Sequence, residues 1–168
     1  MTVANPEDSA SAAAFAVEVV KANTEAAALA HLRGESDRLP ALTVAPIVLG
    51  DGSRWYRVLS GAFPNSIAAE SLLIHLRGTP VLASDPGSIV HAPFALLALA
   101  DADTASARGE IARLRERGVS AYGLLQPTGL VRVYVGAFAT VEEAASAETP
   151  LREAGVVPAV VYRTGRAF

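Results

Sequence analysis

The chain has no cysteine, which removes disulfides, thiol nucleophiles and cysteine-based zinc sites from consideration. Aromatic residues make up only 6% of its 168 residues, with one Trp and one Met. Alanine therefore supplies much of the 51% hydrophobic share, and it suits close helix-on-sheet packing better than deep pockets. Charge of one sign is nowhere concentrated: 14 Lys and Arg stand against 17 Asp and Glu, for a net charge of −3. Phosphate-backbone binding draws its affinity from clustered Lys and Arg, so nucleic acid is disfavoured as a partner. No apolar run approaches the roughly 18–20 residues needed to span a bilayer, so no transmembrane segment is expected. The first fourteen residues include Glu7 and Asp8 but no Lys or Arg, unlike the basic start of an export signal. The compartment stays open.

What is present is a pattern of short elements. Residues 1–13, rich in Ala and Ser around Pro6, read as a loose N-terminal arm. Phe15, Val17 and Val19 then alternate as on a strand. Asn23 or Thr24 is placed to cap a helix that Gly34 ends. Residues 41–49 form an apolar, β-branched run interrupted by Pro46, which predicts an edge or bulged strand. Asp51-Gly52 turns into a strand over residues 55–63. The following helix, entered at Asn65 and Ser66, sets Ala69, Leu72, Leu73 and Leu76 on one face. Val81-Leu82-Ala83 reads as a short fourth strand, and Asp85-Pro86-Gly87 as the boundary between two halves.

The cycle then restarts, with a strand over residues 94–100, a helix capped by Asp103 or Thr104, and strands over 120–126 and 130–138. Thr140 and Glu143 have the spacing of a capping box for the last helix, which Pro150 shortens or kinks. A final strand is expected over residues 156–163. Arg57, Val58, Gly61, Ala62, Phe63, Ala69 and Leu76 each recur 75 residues on, as Arg132, Val133, Gly136, Ala137, Phe138, Ala144 and Leu151. Each copy reads β-α-β-β-α-β. The fold expected is thus α+β: two ferredoxin-like units at residues 14–85 and 88–168, each a four-stranded antiparallel sheet with two helices on one face. The other sheet face is left open for a ligand or partner.

The segments Tyr56-Arg57-Val58-Leu59-Ser60-Gly61-Ala62-Phe63 and Val131-Arg132-Val133-Tyr134-Val135-Gly136-Ala137-Phe138 resemble the second-half motif of SPOR (sporulation-related repeat) domains. The resemblance covers the chain as a tandem from about Phe15 to Arg163. It implies a non-enzymatic module that binds peptidoglycan, especially glycan strands stripped of stem peptides, across the open sheet face. It also points to the bacterial periplasm or cell envelope. In that family the first strand carries a Gln and a Ser toward the glycan. Glu18 and Lys21 occupy those places in the first copy, Leu97 and Ala100 in the second.

Strand alternation sends Trp55, Arg57 and Leu59 to the first open face, and Arg132 and Tyr134 to the second. With Glu18, Leu97 and Leu99 they form the candidate binding set. Arg57 and Arg132 suit a sugar, a carboxylate or a carbonyl, and Trp55 suits stacking on a sugar ring. A face built on Leu97, Leu99 and Tyr134 suits an apolar protein contact better than a sugar. No metal or other cofactor is expected, because His31 and His75 have no second ligand at suitable spacing. No nucleophile, base and oxyanion site assembles around Ser60, and no phosphate-binding loop occurs, so no catalytic residue is assigned. The leading expectation is an accessory or docking subunit for a protein partner, with a membrane-associated assembly as one setting for it. Peptidoglycan binding is the alternative, and an ACT-like small-molecule regulatory domain the second alternative.

Overall fold

The computed structural model describes residues 2–82 and 85–168. It contains two antiparallel sheets with helices. The first sheet is built from β1 (Phe15–Ala22), β2 (Thr43–Val48), β3 (Arg54–Phe63) and β4 (Ser88–His91), in the order β2-β3-β1-β4. The second is built from β5 (Phe94–Ala102), β6 (Ala121–Leu125), β7 (Val131–Phe138), β8 (Ala159–Tyr162) and β9 (Arg166–Ala167), in the order β8-β5-β7-β6-β9. Leaving β9 aside, both sheets have the strand order of a ferredoxin-like βαββαβ unit.

The helices start where side chains can satisfy free backbone N–H groups. Thr24 accepts from Ala27 N at 3.2 Å to open α1 (Glu25–Glu35), and Asn65 accepts from Ala68 N at 2.9 Å to open α2 (Ser66–Arg77). Asp103 does the same for α3 (Thr104–Glu116), and Thr140 for α4 (Val141–Ser146). Glu143 reaches back to the Ala139 N–H at 3.1 Å. Pro150 does not merely kink the last helix. The chain breaks there, and a separate α5 (Thr149–Glu153) carries Pro at its start, where no N–H is missed.

Each sheet buries one face under helices. Val17, Val19, Val44 and Val58 pack with Ala28 and Leu32 of α1 and Leu73 and Leu76 of α2. Leu96, Val131, Val133 and Val135 pack with Ala107 and Leu114 of α3, Ala144 of α4 and Leu151 of α5. Pro46 lies in β2, an edge strand, where its missing N–H removes no ladder bond.

The repeated Gly-Ala-Phe segment has one physical cause in both halves. Phe15 pairs with Phe63 and Val17 with Ser60, and likewise Phe94 with Phe138 and Leu96 with Val135, so an extra residue bulges at each glycine. Gly61 has φ +91° and Gly136 φ +72°, and a Cβ on either would run into the ring of Phe63 or Phe138. Only glycine serves there.

Several expectations are corrected. No strand forms at Val81 and Leu82, which lie in a 3₁₀ turn (Pro80–Leu82); Ala83 is outside the described residues. The fourth strand of the first sheet is β4, beyond the Asp85-Pro86-Gly87 turn, so that turn lies within the first sheet's chain path. The second sheet has five strands, because Leu124 and Leu125 pair with β9. The arm is not loose. It forms a 3₁₀ turn (Pro6–Ser11) tied to β8 through Ala4 N to Val160 O at 2.9 Å.

The two sheets are joined by a continuous apolar cluster in which Ala16, Ala45 and Leu59 meet the second core. Polar contacts seal the seam. Thr43 Oγ1 donates to Ser120 O and accepts from Gly136 N, both at 2.9 Å, while Ser120 Oγ accepts from Val44 N at 2.9 Å.

Candidate functional site

The helix-free face of the second sheet is where sequence reasoning places a ligand. On β7, Val131, Val133 and Val135 point to the helices, which leaves Arg132 and Tyr134 on the other side. Tyr134 is fully buried and packs there with Tyr122, Leu124, Ala95 and Val161. Ala62 from the end of β3 and Ala13 from the arm complete this cluster.

The polar groups on that face are taken up within the chain. Thr164 follows β8 and crosses to Tyr134, with Thr164 N donating to the Tyr134 hydroxyl at 3.3 Å and the two hydroxyls 3.2 Å apart. Gln126 Nε2 donates to Thr164 O at 2.8 Å, and Thr164 Oγ1 donates to Gln126 Oε1 at 2.9 Å. Arg132 donates through Nε to Asp101 at 3.0 Å, and through Nη1 to Asp8 at 3.2 Å and Thr164 Oγ1 at 3.0 Å. Burial opposes the Arg132 charge, but the hydrogen bond to Asp101 and the Tyr134 contact outweigh it and push its pKa above the ordinary value.

The arm is fastened along β8 by a side chain that imitates backbone. Asn5 Oδ1 accepts from Tyr162 N at 2.7 Å, and its Nδ2 donates to Tyr162 O at 3.2 Å. Ala13 N donates to Arg163 O at 2.7 Å, and Ala12 bridges Thr164. Residues 2–13 and 163–167 thus cover or edge the face from both ends of the chain.

The first sheet is spent differently. Glu18 is buried, with Lys21 Nζ 3.4 Å and Arg57 Nε 3.9 Å from its carboxylate oxygens. The two positions that the resemblance turns toward a glycan, Glu18 and Lys21, are therefore paired with each other. Leu59 is buried in the shared core, and Trp55 is half-buried opposite Ile47.

Leu97 and Leu99 do not share a face as alternation predicts. Leu97 pairs with Tyr134, but the register shifts before Leu99, which pairs with Val133 and packs on the helix-side core. The structure thus brings Leu97, Arg132 and Tyr134 together on one face and Glu18 with Arg57 on another, and it removes Leu99 and Leu59. Sequence reasoning did not find Asn5, Asp8, Gln126, Arg163 and Thr164. Their only signal was polarity beside apolar strands, and their partners lie far away in sequence.

Among known families, one matches part of the chain. Residues 91–162 match the SPOR domain. The SPOR match spans β5 to β8, together with α3 to α5 and the last residue of β4. No curated protein matches the chain. Among the described residues, no helix is long and apolar enough to cross a membrane.

Proposed function

We propose that the chain is a non-catalytic interaction module that docks on a protein partner as an accessory subunit. In this reading its SPOR domain serves assembly of the module rather than capture of glycan. One observation carries it: Tyr134, at the centre of the SPOR sheet face, is fully buried and bonded to Thr164. SPOR domains bind peptidoglycan, and a polysaccharide on that face would need hydrogen-bonding groups free to meet its hydroxyls. Here Arg132 already holds Asp8, Asp101 and Thr164, and Gln126 already holds Thr164. The first half resembles a second such unit in its Gly-Ala-Phe bulge and its strand order, and the two pack as one body.

Peptidoglycan binding stays as the second reading, favoured by the SPOR match itself and by the arm's light attachment. The 3₁₀ turn of the arm has no buried residue, so little apolar surface resists its displacement. A hollow of about 350 Å³ beside Arg132 and Thr164 also adjoins the arm.

Co-sedimentation with isolated sacculi, intact and amidase-stripped, separates the two. The docking reading expects the full chain, and a variant lacking residues 2–12, to stay in the supernatant. Sedimentation of the shortened variant would establish the second reading, and sedimentation of the full chain would refute the first.

A further inference from the structure

A second concavity lies outside the SPOR face, in the cleft between the two halves. It has a volume of about 330 Å³, near the lower end of the range of small-molecule pockets. Its walls are apolar: Val44 from β2, Val119 from the turn before β6, and Phe138 from the end of β7 are all buried. Tyr56 adds a half-buried aromatic surface. The Thr43–Ser120 seam fixes the two sides relative to each other, so the cleft is preformed.

Its rim carries one charge of each sign. Glu25 is the first residue of α1, and Arg54 the first of β3. Among the described residues, neither makes an ion pair or a side-chain hydrogen bond, so both charges stand free at the mouth of the cleft. An apolar cleft edged by a free carboxylate and a free guanidinium is complementary to a molecule with an apolar body and two opposite charges.

We propose that this cleft binds a small apolar zwitterion, a free amino acid or dipeptide, with its carboxylate at Arg54, its ammonium at Glu25 and its side chain against Val44, Val119 and Phe138. The site is independent of the SPOR face. It gives the pairing of two halves a purpose that one half cannot supply, since Glu25, Val44 and Arg54 come from the first and Val119 and Phe138 from the second.

The test is a ¹H–¹⁵N titration of the full chain with leucyl-leucine, its N-acetyl form and its C-terminal amide. Saturable shifts at the Val44 and Val119 amides are expected with the free dipeptide. Because both rim charges are solvent-exposed, blocking either terminus is expected to weaken binding by roughly two- to fivefold. Arg54→Gln should remove the preference over the amide, and Glu25→Gln the preference over the acetyl form. Ser146→Trp, an exposed position on the cleft wall, should block binding while leaving the fold intact. No saturable shift at millimolar dipeptide overturns the proposal. So does equal affinity for all three forms, or unchanged binding to a folded Ser146→Trp variant.

Discussion

Arg163 Nη1 donates to the carbonyl of Gly61 across 3.2 Å, joining the end of β8 to the glycine bulge of β3. The same guanidinium donates through Nε to Ala92 O at 3.0 Å and through Nη1 to the Tyr122 hydroxyl at 3.4 Å. It is fully buried, and among the described residues no carboxylate pairs with it. Carbonyl dipoles from both halves therefore hold a buried cation at their junction.

Replacing that cation tests the junction. Arg163→Ala leaves two buried carbonyls unpartnered and a cavity behind, and is expected to cost about 2–4 kcal/mol in urea denaturation. Arg163→Met keeps much of the volume and should cost less. A loss within roughly 0.5 kcal/mol of zero for Arg163→Ala would show that the contact holds nothing together.

The bulge glycines give a second, graded test. Gly136→Ala must adopt φ +72° and push the Phe138 ring aside, at an expected cost of about 2–4 kcal/mol. Gly129 has φ +84° but no atom within 4 Å, so Gly129→Ala should cost only about 1 kcal/mol. Equal losses would mean that the aromatic contact adds nothing.

These glycines also mark how far the sequence was legible. The Gly-Ala-Phe pair, the cap residues Asn65 and Thr140, and the α2 stripe are local signals. Each determines its own turn or helix, and together they gave the ferredoxin-like order. What escaped depends on pairing at a distance. Strand β4 forms because Val90 and Ile89 find Ala16 and Val17, while Val81 and Leu82 resembled a strand equally well. Leu99 changes face because of a bulge that no residue announces. Asn5 and Asp8 looked like solvated polar residues, since Tyr162 and Arg132 lie more than a hundred residues away. The candidate faces were thus readable by alternation. Their internal filling was not.

Alkaline pH supplies a third test. Burial pushes the Tyr122 phenol above its ordinary value of 10.0, with Arg163 opposing the shift. The unfolded chain then loses this proton first. Stability from Tyr122 is fully present below the unfolded value and is lost as pH climbs toward the folded one. Urea midpoints should fall as pH passes about 10, and Tyr122→Phe should flatten that fall. A Tyr122→Phe variant with the same alkaline slope would contradict the assignment.

The Asp8–Arg132 pair is expected to be weak on its own. Both side chains are about one-quarter exposed, at 26% and 27%, so Asp8→Asn should cost no more than about 1 kcal/mol. Molar salt should shrink that difference, as read from thermal melts at two ionic strengths. A salt-independent loss of several kcal/mol would mean that Asp8 is a core residue rather than a clasp on the arm.

The chain's own arm closes the helix-free face of the second sheet, the part that matches the SPOR domain. Amide hydrogen exchange at Ala4 and Ala13 tests it most directly, because their N–H groups donate to Val160 O at 2.9 Å and Arg163 O at 2.7 Å. Closure predicts slow exchange at both amides, with Ala13 the slower because it is buried and Ala4 exposed. Exchange of both at the rate of an unstructured peptide would mean that the arm lies free and the face is open.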